Sequence, residues 1–153
     1  MAQKKNNISQ ESSNNIEKKM IEDLKVIKIE KEFRQMIENL IKCRIIKEAQ
    51  YGYEIGVAIA IANGLKWSPS DEKKPTDAQS STANDQTKYT HNTGSIHVRL
   101  KQLVEIYQSD MPPYRCIEGL TSMGLSLLKK DIPTNSSVSH GSFKASIDQL
   151  IKE

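Results

Sequence analysis

The sequence predicts a mainly α-helical fold: a small helical domain with a candidate short β-strand near residues 24–30 and a long disordered internal loop. Three observations predict it. Large apolar residues recur at helical spacing on both flanks of the chain's middle, in Phe33, Ile37, Leu40 and Ile41 before it and in Ile96, Leu100, Val104 and Tyr107 after it. Between Trp67 and Ile96 lie 28 residues without Ile, Leu, Val, Met or Phe, and 20 of them are Ser, Thr, Pro, Asn, Asp, Gln or Gly. That stretch buries too little apolar surface to offset the entropy of ordering its backbone. Finally, aromatic residues make up 5% of the chain against 37% apolar, so the core must be assembled from aliphatic side chains with few large anchors.

In chain order, residues 1–15 are mostly polar, with Ile8 their one large apolar group beyond Met1, and are expected to form a disordered tail. The domain spans residues 16–131 and is interrupted by the flexible loop 68–95. Ile16, Met20, Leu24 and Ile27 follow helical spacing, and Ile29, Phe33, Ile37, Leu40 and Ile41 form a second stripe. The join between them, LKVIKIE, reads equally as a kinked helix or as a strand of about five residues, because Val26, Ile27 and Ile29 are β-branched. Cys43 to Tyr53 reads as a turn before a compact helix from Glu54 to Asn63, whose small residues allow another backbone to approach closely. Gly64 suits the left-handed position that closes a helix, with Leu65 as the apolar contact of that cap and Trp67 covering the end of the core.

After the polar loop, Ser95 is a candidate N-cap for a helix whose core stripe is Ile96, Leu100, Leu103, Val104 and Tyr107. A further helix starts at Pro112 or Pro113 and carries Ile117, Leu120, Leu125, Leu127 and Leu128, with Gly119 and Gly124 thinning it where a neighbour packs closely. Pro133 stops it, and residues 132–142 form a spacer. The last element, 143–153, is a short amphipathic helix carrying Phe143, Ile147, Leu150 and Ile151. Alone it is too short to be stable, so it either docks on its own core or serves as the partner-binding handle of the protein.

The formal charge of +3 arises from 22 basic and 19 acidic residues mixed along the chain, which permits nucleic-acid binding without arguing for it. About 100 packable residues make a modest core that would gain from oligomerisation. Cys43 and Cys116 lack any CxxC spacing and read as small buried hydrophobes in a reducing, cytoplasmic setting, and no apolar run is long enough for a membrane span.

Candidate chemistry is sparse. The three histidines, His91, His97 and His140, read as solvated imidazoles, and neither a metal site nor a cofactor is expected. Phosphate-cradling GxGxxG and GxxxxGK[ST] motifs are absent, as are GxSxG and HExxH. Adjacent carboxylates such as Glu22 with Asp23 read as solvated surface charge. A binding surface remains: nine basic residues stand against seven acids within residues 15–50. The candidate nucleic-acid-binding residues are Lys25, Lys28, Lys31, Arg34, Lys42 and Arg44, which could meet phosphates by salt-dependent attraction. Exposed Glu/Lys pairing is the alternative reading of the same residues.

Two resemblances sharpen this. A Lys-bearing KVIKIE, the amphipathic KEFRQMIENLIK, a turn, and a small-residue helix ending in Asn-Gly-Leu resemble a ribbon-helix-helix DNA-binding unit. That fold implies a dimer whose paired strands enter the major groove, with Lys25 or Lys28 toward DNA. Over residues 25–130, the order KVIKIEKEFRQMIENL, VAIAIANGL, a polar insert, LKQLVEIY and EGLTSMGLSLL is similar to the family called dnd system-associated protein 4, small proteins that accompany bacterial DNA-phosphorothioation defence systems. This resemblance implies a non-catalytic, DNA-associated or complex-forming accessory subunit. Its expected partners are duplex DNA, other protein subunits or further copies of the chain. A protein-interaction subunit without nucleic-acid contact is the alternative.

Overall fold

The computed structural model describes residues 21–71, 88–132 and 136–152. The fold is mainly helical, as expected. Its elements are β1 (Val26–Glu30), α1 (Lys31–Lys42), α2 (Ala49–Ala62), a 3-10 turn (Pro69–Asp71), β2 (Lys88–Asn92), a second 3-10 turn (Thr93–Ser95), α3 (Val98–Tyr107), α4 (Pro113–Leu128) and α5 (His140–Lys152). The predicted tail 1–15, with Ile16 and Met20, and the stretch 72–87 of the predicted loop lie outside the described residues. No helix among the described residues is long and apolar enough to cross a membrane.

The ambiguous LKVIKIE is a strand. Ile27 and Ile29 are buried on its inner face while Val26 and Lys28 are exposed, a period of two that suits one-sided burial. The helical stripe through Leu24 and Ile27 does not form, because residues 21–25 are not helical and Ile27 belongs to β1. Part of the polar segment read as a loop supplies the partner strand: β2 pairs antiparallel with β1, Ile27 opposite His91 and Ile29 opposite Tyr89. The ladder reaches Lys25, whose carbonyl accepts from the backbone N–H and the hydroxyl of Thr93 at 3.2 and 2.9 Å. Composition alone hides β2, since pairing with a distant strand leaves no mark in composition.

The core centres on α2 against α4. Gly56 and Gly124 face each other where the two helices cross: a Cβ on Gly56 would stand 2.7 Å from the Thr121 carbonyl oxygen, and one on Gly124 would stand 2.9 Å from the Cα of Gly56 and overlap its carbonyl. Helix α2 starts five residues earlier than Glu54, because Gly52, read as a turn residue, is the point where α2 meets Ile37 of α1, a Cβ there falling 2.6 Å from Ile37 Cγ1. It ends as expected. Gly64 has φ +68, its N–H donates to the Ile61 carbonyl at 3.0 Å and that of Leu65 to Ala60 at 2.9 Å. Trp67 is buried over Gly119, and its backbone N–H and C=O both pair with the Gln108 side-chain amide at 2.9 Å.

His97 rather than Ser95 stands at the N-cap position of α3, without a side-chain capping bond, because Ile96 is buried in an extended conformation and Ser95 belongs to the preceding 3-10 turn. Leu100 and Val104 face the core, but Leu103 is 45% exposed. Helix α4 begins with Pro113 at its first turn, as predicted. Its free N–H groups are met from far away in sequence: Asp23 accepts from Tyr114 at 3.2 Å and from Arg115 at 3.1 Å, so this carboxylate is a helix cap rather than solvated charge. Burial, with Asp23 and Asp110 nearby, pushes the Cys116 thiol up to about 11, consistent with an inert buried cysteine.

Helix α5 docks on its own core. Phe143, Ile147 and Leu150 pack against the cluster while Ile151 stays 50% exposed. It begins at His140, inside the predicted spacer, because Ser139 accepts from the Ser142 N–H at 3.1 Å as an N-cap. Asn63 at the end of α2 donates to the Leu150 carbonyl at 3.2 Å, and His140 Nε2 lies 3.1 Å from the Arg44 carbonyl oxygen.

Candidate functional site

Of the predicted cationic residues, Lys31, Arg34 and Lys42 fall on one face of α1. Its apolar side buries Phe33, Met36, Ile37 and Leu40, and the 3.6-residue period turns positions 31, 34, 38 and 42 to solvent, where all four are exposed. The row covers about 16 Å of helix, a length over which one B-DNA strand carries about five phosphates. Glu38 interrupts it, its carboxylate accepting from Arg34 Nε at 2.9 Å with both side chains about half exposed. Such an exposed i, i+4 pair holds only about 0.3–0.5 kcal/mol, little enough for a phosphate to displace.

Lys25 and Lys28 are exposed on the chain entering α1. Both edges of β1 are taken within the chain, however: β2 holds one, and on the other the Lys28 N–H donates to Glu118 of α4 at 2.8 Å. A ribbon formed by the β1 strands of two chains, as the ribbon-helix-helix resemblance implies, would have to form beside the Lys28–Glu118 bond or displace it. Lys25, just before β1, and Lys28 within it are surface charges within this chain.

Arg44 lies past the end of α1 and adopts φ +60, closing the helix as Gly64 closes α2: its N–H donates to Ile41 at 3.0 Å and that of Ile45 to Leu40 at 2.9 Å. Glycine would suit this left-handed position better by about 1–2 kcal/mol. Phe143, Ile147 and Leu150, read as a partner-binding handle, are engaged with the protein's own core, leaving Ile151 outside.

The structure also assembles a polar cluster that sequence reasoning missed. Glu54 of α2 accepts from Arg99 Nε and Nη2, both at 2.9 Å, and lies 2.8 Å from Nδ1 of His97, whose ring meets Tyr51 edge-on at 5.6 Å. His97 is thus a tethered group rather than a solvated imidazole. The cluster borders a shallow hollow of about 290 Å³ lined by Tyr51, His97, Val98 and Arg99. Partial burial works to raise Glu54, but the Arg99 and His97 hydrogen bonds and charges outweigh it and hold the carboxylate below its usual range. A lowered carboxylate adds stability above its unfolded pKa and loses it as pH falls through the folded one. Glu54→Gln should therefore cost about 1 kcal/mol at pH 7. The gap from the parent should narrow as pH is lowered below the ordinary carboxylate range, and a gap that stays the same at every pH in urea unfolding would refute the assignment. No signal along the chain joins Glu54 to residues more than forty positions away across a polar stretch.

No group of three or more His, Cys, Asp or Glu side chains able to hold a metal ion occurs among the described residues. Comparison with protein families, with curated proteins and with solved structures finds no match to this chain.

Proposed function

We infer that the protein is a non-catalytic accessory subunit that associates with duplex DNA through the solvent face of α1, in the kind of prokaryotic defence or DNA-modification system that its sequence resemblance implies. The observation that carries this reading is the row Lys31, Arg34 and Lys42 on one helix face, flanked by exposed Lys25, Lys28 and Arg44. Two details support a role beyond solubility. Lys31 sits at the first position of α1, where a cation opposes the helix dipole, so helix stability does not account for it. Arg44 occupies a left-handed position at a conformational cost that glycine would avoid, and its guanidinium is what the chain gains.

Contact to phosphates on this face needs no base readout and gives an affinity set by counterion release. The expected result is duplex binding that falls steeply between about 50 and 200 mM salt, with a log–log slope reduced by about one for each phosphate-contacting cation removed. Lys31→Ala, Arg34→Ala and Lys42→Ala together should weaken binding about equally across sequences, and Lys25→Ala with Lys28→Ala should weaken it less. Absent or salt-insensitive binding at micromolar protein would discard the reading.

A further inference from the structure

The C-terminal ends of two helices converge on one side chain. Asn63 closes α2, and its amide Nδ2 donates to the Ile59 carbonyl of its own helix at 2.8 Å and to the Leu150 carbonyl of α5 at 3.2 Å. Both acceptors lie in last turns, where carbonyls are short of partners within the helix and the dipole is negative. The last turn of α2 carries no basic residue. The place between the two ends therefore calls for a donor and disfavours an anion.

The tie matters because α5 is lightly held. Phe143, Ile147 and Leu150 are only partly buried, and none of the side chains from His140 to Ile151 is fully buried. Its start is tied by His140 to the Arg44 carbonyl, and its end by Asn63.

Asn63 and Gly64 form the one Asn-Gly pair of the chain. In such a pair the asparagine side chain is open to attack by the next backbone nitrogen, because glycine has no Cβ to hinder it. The Gly64 nitrogen bonds to Asn63 Cγ, its proton passes to the departing Nδ2, and ammonia leaves behind a five-membered imide. Water then opens the ring. Attack at Cγ gives aspartate and attack at the Asn63 backbone carbonyl carbon gives isoaspartate, so the net change is one water consumed and one ammonia released. In the folded chain both reacting groups are engaged: the Gly64 N–H donates to Ile61 at 3.0 Å, and Nδ2 holds its two carbonyls. Reaction requires the end of α2 to open, and a docked α5 opposes that opening.

We propose that Asn63 is a deamidation site guarded by α5, and that its conversion releases α5 irreversibly. At neutral pH the product carboxylate has no proton to donate, and it faces carbonyl oxygens at the negative ends of two helices. A transient undocking of α5 is thereby made permanent by covalent chemistry. The proposal does not rest on the DNA-binding reading, since Asn63, Gly64 and Leu150 take no part in it.

The test uses the full chain. Asn63→Asp makes the product directly and should speed hydrogen exchange of the α5 amides from Phe143 to Leu150 by about tenfold or more, with Asn63→Ala, which loses the donor but adds no charge, in between. Ageing in warm, mildly alkaline buffer followed by peptide mass mapping should show slow replacement of the Asn63 amide by acid in the parent. Conversion should be about tenfold faster when Phe143→Ala and Ile147→Ala together undock α5. Ile29→Val is the control, because it loosens the core at β1 and leaves α5 seated. Exchange of α5 no faster in Asn63→Asp than in Asn63→Ala would overturn the proposal. So would an undocked variant in which Asn63 converts no faster than in the parent or in the control.

Discussion

Gly124→Ala is expected to destabilise the protein by about 3 kcal/mol or more, a large share of the about 5–15 kcal/mol that holds a domain of this size. Alanine is otherwise the better helix former by about 1 kcal/mol, so a purely local view predicts the opposite sign. The reason lies across the interface. The added methyl would overlap the backbone carbonyl of Gly56, and a backbone group held in a helix has no rotamer into which to retreat. The two helices would have to part, and the side chains around the crossing, including Val57, Leu120 and Leu125, all fully buried, would lose contact together. Urea unfolding reads this as a fall in midpoint at unchanged slope. Gly141→Ala is the control, since nothing lies within 4 Å of a Cβ there and the position is in the first turn of α5; it should be neutral or stabilising by up to about 1 kcal/mol. Equal effects at the two sites would show that α2 and α4 do not meet backbone to backbone.

Trp67→Ala should cost about 3–5 kcal/mol, the range for removing a buried large aromatic side chain. Trp67 is 5% exposed, and its indole lies on Gly119, where a Cβ would come within 2.7 Å of Trp67 Cγ. The same contact makes a sharper prediction. Gly119→Ala alone should be destabilising because the ring blocks the methyl. In the Trp67→Ala background the methyl enters vacated space, so the second substitution should be neutral or stabilising. A double-mutant cycle in which the two effects simply add would remove the stacking of Trp67 on Gly119 from the account. The surroundings hold the ring in place: Gln108 satisfies both backbone polar groups of Trp67, and the Tyr107 hydroxyl donates to the Leu65 carbonyl at 2.8 Å.

Elements with a strong local signal were legible along the chain. The stripes of α1 and α4, the first-turn proline of α4, and the Gly64 cap with Leu65 behind it follow from periodicity and from dihedral preference, both of which act over a few residues. So did the need for close approach at Gly119 and Gly124, although not the identity of what approaches. The exposed cations of α1 were legible for the same reason: once Phe33, Met36, Ile37 and Leu40 take the inner side, Lys31, Arg34 and Lys42 have only the outer one.

What the tertiary structure alone decided are the pairings between distant residues, whose free energy exists only when both partners are present. β2 is a polar segment that becomes a strand because β1 offers an unpaired edge, and LKVIKIE is a strand rather than a helix for the same reason. Asp23 caps α4 across more than ninety positions of sequence, Glu54 gathers Arg99 and His97, and Glu118 accepts from the Lys28 N–H of β1. A helix declares itself by contacts three and four residues apart, whereas a cap, a ladder or an ion pair between remote groups leaves no mark in the spacing of either partner.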